Sequence, residues 1–319
     1  GNPSNTNSVY GSAANDGVGS SIIALTNDNY VLASPNLDDG ASNTGAVSLV
    51  NGDDGIPLGE TTVAMAQSNA NSIHGTNASD RVGFSIVPLT NGNYIISSQH
   101  WGNGGTSRGA VTLMNGTTGI PVGGTLRNEA VSTTNSLYGT TDYDIVGGGG
   151  IYEIPVNYNY VVSSPNWNGF IGGGGAVTWV NGANGNVAVD NTPGAAVATT
   201  NSLYGTSVND YVGSQVVTLN TGSAGNYAVG AHNWNGPGTD RGAVTWVNGL
   251  NGNVAVDNTP GAAVSTTNSL YGSINSSEVG RIVTALPNGN YIVRSQNWDG
   301  VTTNGGAVTW VDGSNGNIA

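Results

Sequence analysis

Asn135-Ser-Leu-Tyr-Gly139 decides how this chain is read, because the phrase recurs as Asn7-Ser-Val-Tyr-Gly11, Asn71-Ser-Ile-His-Gly75, Asn201-Ser-Leu-Tyr-Gly205 and Asn268-Ser-Leu-Tyr-Gly272. The starts lie 64, 64, 66 and 67 residues apart, so the 319 residues divide into five copies of one unit. Self-similarity at such a period means that one unit cannot bury its apolar face alone and must stack on its neighbours. Function is then to be sought in sets of equivalent residues.

Other landmarks keep step with the phrase. A Gly-Ala-Val segment begins at Gly45, Gly109, Gly175, Gly242 and Gly306, eight residues after Leu37, Trp101, Trp167, Trp234 and Trp298. Those five positions follow Tyr30, Tyr94, Tyr160, Tyr227 and Tyr291 by seven residues, and Val18, Val82, Val146, Val212 and Val279 sit eleven after each phrase. Only the Val-to-Tyr spacing varies, at 12, 12, 14, 15 and 12, so Thr26 to Asn29 and its counterparts read as exposed hairpin tips. Residues 175–206 and 242–273 differ at three positions, which points to recent duplication.

Four segments per unit have strand character, in the second unit Val82–Leu89, Tyr94–Ser98, Gly109–Met114 and the weaker Glu129–Thr134. Asn91-Gly92 between the first two is a hairpin signal, since both residues tolerate positive φ. No window carries apolar residues at helical spacing, so helix content near zero is expected. Four short strands repeated five times predict an all-β chain, a five-bladed β-propeller of four-stranded antiparallel blades forming one domain over 1–319. A parallel β-solenoid competes, but its rungs are usually much shorter. The chain ends at Gly316-Asn-Ile-Ala319, before its last phrase, and starts with Asn5-Thr-Asn-Ser-Val-Tyr-Gly11, so the N-terminal strand is expected to complete the last blade.

The composition holds 52 glycines, no cysteine, six arginines and no lysine, with formal net charge −13. Nucleic acid and anionic membranes are disfavoured as partners, and neither disulfides nor thiolate chemistry are available. No apolar run reaches bilayer length, so membrane insertion is not expected, and Gly1-Asn2-Pro3 does not begin a signal peptide; the chain reads as a monomeric module excised from something larger.

Val82-Gly-Phe-Ser85, Ser34-Pro35, Ser164-Pro165 and the five Gly-Ala-Val segments resemble the FG-GAP family, the blades of the integrin α-subunit propeller. The Tyr160-Val-Val-Ser-Ser-Pro-Asn-Trp167 and Gly175-Ala-Val-Thr-Trp-Val-Asn-Gly182 units are also similar to repeats in very large bacterial surface proteins of the filamentous haemagglutinin type. The resemblance implies a propeller displayed extracellularly on a bacterial surface. Where FG-GAP repeats carry a calcium loop, this chain has Thr26-Asn-Asp-Asn-Tyr30 and Thr90-Asn-Gly-Asn-Tyr94, too poor in carboxylates for a hard cation. No metal or other cofactor is expected.

Binding residues are expected on the face opposite these hairpins. The loops there begin with Trp101, Trp167, Trp234 and Trp298 and carry Asp16, Asp80, Asp144 and Asp210, with Ser277-Glu278 as the fifth variant. An indole stacks on a sugar ring while amides and carboxylates hold its hydroxyls, so weak multivalent glycan binding is one expectation. The structural alternative weighs more: the tryptophans pack between blades and the aspartates bond loop amides. His74, His100 and His232 lack partners at ligand or triad spacing, and no paired-carboxylate motif stands out, so an enzyme is not expected and a glycoside hydrolase is the least favoured reading. The leading expectation is a noncatalytic adhesion or recognition module with a surface glycan or protein ligand; the alternative is a purely structural spacer.

Overall fold

The computed structural model describes residues 2–154, 156–169, 172–222, 225–300 and 302–318. Ala319, named in the closing expectation, lies outside them. All described regular elements are strands. The chain divides into two compact units, one of residues 1–147 with 192–196 and the other of 148–191 with 197–319.

In the first unit, Ser21–Ala24, Tyr30–Ser34, Ala46–Val50 and Ile73–His74 form one antiparallel meander. Ser85–Pro88, Tyr94–Ser98, Ala110–Met114 and Leu137–Tyr138 form the next. The second unit repeats the order twice, through Gly150–Ile154, Asn159–Ser164, Ala176–Val180 and Ser202–Tyr204, then Gln215–Thr218, Tyr227–Ala231, Ala243–Val247 and Ser269–Tyr271. Its last sheet holds Ile282–Ala285, Tyr291–Ser295 and Ala307–Val311. The second strand starts at the expected tyrosine in four units; in the third it starts one residue earlier, at Asn159. In the first four units the second and third strands are buried almost throughout, so apolar residues occupy both of their faces, with buried serines and threonines among them.

The fourth strand is not the Glu129–Thr134 segment expected from the sequence but the repeat phrase itself, and each residue of the phrase has a part in that. The Asn135 carboxamide accepts from Ser132 N–H at 2.9 Å and donates to Ala130 C=O at 3.0 Å, closing a turn just before the strand. Ser136 meets Thr112 of the neighbouring strand hydroxyl to hydroxyl at 2.7 Å. The same bond joins Ser48 to Ser72, Thr178 to Ser202 and Thr245 to Ser269. Leu137 is buried opposite Val111. The segment ahead of the turn instead lies parallel to the phrase of the preceding repeat, as Ala195–Ala196 does beside Leu137–Tyr138 and Ala262–Ala263 beside Leu203–Tyr204.

The N-terminal phrase follows that second habit. Val9–Tyr10 pairs in parallel with Met65–Ala66, and the fifth sheet has three strands among the described residues, so the pairing expected to complete the last blade is not found. The hairpin tips are exposed in part, at Thr26 and Asp28 and at Thr90 and Asn91, but their asparagines also reach the neighbouring repeat. The Asn27 and Asn29 amides donate to Gly116 C=O of the next repeat at 2.8 and 3.0 Å. Asn159 and Asn226 likewise reach Gly249 and Gly313. Trp179 and Trp246, inside the third strands, are buried and donate their indole N–H to the same two carbonyls at 2.9 and 2.8 Å; the equivalent Trp310 is 40% exposed.

Candidate functional site

The loops at the other end of the strands are fastened to one another by backbone bonds that repeat four times. Ser79, Arg81 and Val82 N–H groups donate to Ser42, Asn43 and Thr44 C=O of the preceding repeat, at 2.9, 3.0 and 3.0 Å. Tyr143, Ile145 and Val146 do the same with Thr106, Ser107 and Arg108. Asn209, Tyr211 and Val212 repeat it on residues 172–174, and Ser276, Glu278 and Val279 on residues 239–241. Arg81, Ile145, Tyr211 and Glu278 all take a left-handed backbone, φ 47 or 48°, to make the fit.

The predicted aspartates hold these loops from inside. Asp80 accepts from Thr76 and Asn77 N–H on one oxygen, at 2.9 and 2.8 Å, and from Gly102 N–H on the other, at 3.0 Å. Asp210 does the same with Thr206, Ser207 and Asn235, and Asp16 with Ala13 and Asp38. Asp144 accepts from Thr140 and Thr141. All four are buried. Burial pushes the Asp210 carboxyl above the ordinary carboxylate range, with the N–H groups of Asn235, Ser207 and Thr206 opposing it. The glycine that ends the phrase leaves room for this aspartate: a Cβ on Gly75 would lie 2.7 Å from Asp80 Cβ and would also strike Thr44 C=O. In the fifth repeat Ser277 takes the aspartate's place and donates to Ile274 C=O.

The predicted tryptophans are likewise committed to packing. Trp101, Trp167 and Trp234 are at most 4% exposed, and Leu37 fills the equivalent place in the first repeat. Trp101 meets Tyr138 edge-on with centroids 6.5 Å apart, and Trp234 meets Tyr271 at 6.2 Å. The indole N–H groups of Trp167 and Trp234 are buried without a hydrogen-bond partner, so these rings supply area rather than polar contacts. Trp298 is half-buried. The stacking platform expected from the sequence is therefore not offered by Trp101, Trp167 or Trp234, because their faces are spent on the core.

What the sequence reading passed over lies around Asp80. Loops 77–81 and 100–107 wall an open cavity of about 450 Å³, lined by Asn77, Ser79, Arg81, His100, Thr106 and Ser107, among others. Arg81 stands where the other repeats have Gly17, Ile145, Tyr211 and Glu278, and His100 where they have Asn36, Asn166, Asn233 and Asn297. The exposed Phe84, which replaces glycine, serine or arginine, meets the His100 ring edge-on at 5.0 Å. Partial burial, and secondarily the Arg81 charge, hold the His100 imidazole below its ordinary range, so it is neutral near pH 7, with one nitrogen donating and one accepting. A signal was present in the sequence: His100 stands where the other four repeats have asparagine, whereas Arg81 and Phe84 fall at positions that vary from repeat to repeat.

Among the described residues no group of three or more His, Asp and Glu side chains is arranged to hold a metal ion. No described helix is long and apolar enough to cross a membrane. No curated protein matches the chain. A family model described as a repeat of unknown function (DUF5650) matches residues 24–84, 88–148, 156–214, 222–281 and 285–319. Each full match runs from the end of a unit's first strand, or from the hairpin after it, to about the Val-Gly pair of the next unit, taking in the second, third and fourth strands and the loop that carries the aspartate position. With five tandem matches over most of its length, the chain belongs to this repeat family.

Proposed function

We propose that this chain is a noncatalytic recognition module of a bacterial cell-surface or secreted protein, with its ligand, a surface glycan or a protein, met by the loops around the buried aspartates. One observation carries the reading: the polar residues common to the repeats are spent on loop geometry, while the solvent-facing positions on those loops differ from repeat to repeat. A scaffold held constant beneath variable loops is how binding proteins are commonly built. Carboxylates with both oxygens engaged by backbone amides, as in Asp80 and Asp210, are poorly placed to act as general acid or base, which supports a noncatalytic role.

The same reading takes the units as blades of a β-propeller of the FG-GAP kind, supported by the four-strand meander order that recurs four times. Small-angle scattering is expected to give a compact disc-like particle; an elongated profile rejects the propeller. A glycan array, together with binding to immobilised host-cell surface proteins, tests recognition itself. Reproducible binding is expected. Blank results on both leave the spacer reading, which the four identical backbone seams between repeats favour.

A further inference from the structure

Of the six arginines in this acidic chain, five have hydrogen-bond partners for their guanidinium groups. Arg108 binds Asp142 and Arg281 binds Glu278; Arg127 reaches Thr118 C=O, Arg241 reaches Asn275, and Arg294 reaches Gln296. Arg81 has no side-chain partner among the described residues, and it lines the 450 Å³ cavity of the second repeat. The nearest carboxylate on that wall, Asp80, already accepts three backbone N–H bonds. The Arg81 charge therefore has no ion-pair partner, since the other carboxylate bordering the cavity, Asp142 on the Thr106 N–H, is paired with Arg108.

The rest of the lining is just as specific. The hydroxyls of Ser79, Thr106 and Ser107 make no hydrogen bond to other described side chains, and the His100 ring nitrogens are equally uncommitted. Ala78 is the only apolar side chain on the wall, the rest being polar groups and glycines, so the cavity matches a ligand covered in hydroxyls better than an apolar one. Its volume suits one or two sugar rings. A guanidinium favours carboxylate, which it can grip with two parallel N–H bonds.

We propose that the cavity formed by loops 77–81 and 100–107 binds a carboxylate-bearing saccharide, with Arg81 on the carboxylate and His100, Ser79, Thr106 and Ser107 on the ring hydroxyls. The inference rests on the recognition reading and narrows it to one repeat and one ligand class. Neither Arg81 nor His100 has a counterpart elsewhere in the chain, so the site is single and gains nothing from the number of repeats.

The test is a titration of the whole chain, labelled with ¹⁵N, against glucuronate, glucose, acetate and an N-acetylated, C-amidated Gly-Glu-Gly peptide. Glucuronate is expected to shift the Ser79, Arg81, Gly102 and Thr106 amides with a millimolar dissociation constant, and glucose and acetate to bind about tenfold or more weaker. Arg81→Gln is expected to weaken glucuronate about tenfold. His100→Asn, which installs the residue of the other four repeats and so carries little folding risk, is expected to weaken it about threefold or more. Equal binding of glucose and glucuronate, shifts confined to other repeats, or no shift up to about 50 mM glucuronate overturns the proposal. Peptide binding as tight as glucuronate overturns the saccharide assignment. If the glycan array shows binding that Arg81→Gln leaves intact, recognition stands and this site falls; a blank array with no shift removes both.

Discussion

The second and fourth repeats share one loop skeleton and present different chemistry from it. Asp80 and Asp210 bond the corresponding amides, and Trp101 and Trp234 are buried against Tyr138 and Tyr271 in the same edge-on manner. Arg108 and Arg241 both reach the loop of the following repeat, to Asp142 at 3.0 Å and Asn275 at 3.4 Å. Yet on this frame the second repeat places Arg81, Phe84 and His100, and the fourth places Tyr211, Ser214 and Asn233. The Tyr211 hydroxyl turns back to donate to Asn209 at 3.0 Å, an internal bond that Arg81 does not make. Skeleton and surface are thus separable, because the skeleton is held by backbone amides and buried rings that do not depend on what the exposed positions carry.

Four sets of substitutions set the two repeats against each other. Trp101→Ala and Trp234→Ala should each cost about 4 kcal/mol, the loss of a buried ring plus the cavity it leaves, with the same cost in both repeats. Urea unfolding followed by circular dichroism measures it. If either costs less than about 1 kcal/mol, that indole is not part of the skeleton. Gly75→Ala and Gly205→Ala should each cost about 3 kcal/mol, because the new Cβ meets the aspartate Cβ at 2.7 or 2.8 Å and strikes a backbone carbonyl. Unequal midpoint shifts would break the equivalence of the two loops.

Asp80→Asn and Asp210→Asn keep the size but turn an acceptor into a donor facing N–H, at a cost of about 2 kcal/mol each. Asp210 adds a pH signature. Its folded pKa is raised by burial, so its contribution to stability is fully present below the unfolded value of about 3.9 and is lost as pH rises through the folded value. The Asp210→Asn chain should lose that fall in stability, and an unchanged pH profile of the urea midpoint would contradict the assignment. The smallest effect belongs to the surface: His100→Asn and Arg81→Tyr, which write the fourth repeat's residues onto the second, should leave stability within about 0.5 kcal/mol. A larger loss in thermal unfolding would mean that the exposed positions are part of the frame after all.

Much of the frame is legible in the sequence. The recurring phrase, the Tyr-to-Trp and Trp-to-Gly spacings and the Asn-Gly hairpin gave the number of units and three of their four strands. The fourth was misplaced on Glu129–Thr134, since a two-residue strand has almost no propensity signal and is fixed by the Asn135 turn and the Ser136–Thr112 hydroxyl pair. The aspartates and tryptophans were legible as special, and also as having a structural alternative; which alternative held depended on burial, a property of the packed chain. The Arg81 cavity was overlooked for the reverse reason, because attention to what repeats hides what does not.

The sequence by itself determined that this is an all-β array of five units, because a period of strands and turns written five times leaves no other local structure for the chain to adopt. Tertiary structure alone decided which polar residues are spent and which are free. Asp80, Arg81 and His100 lie within 20 residues of one another in the chain, yet backbone bonds to the preceding repeat and the bond that Gly102 N–H donates to Asp80 turn the carboxylate inward and leave the guanidinium and imidazole on a shared cavity wall. Those bonds join loops from different strands and different repeats, so no local pattern of residues encodes them.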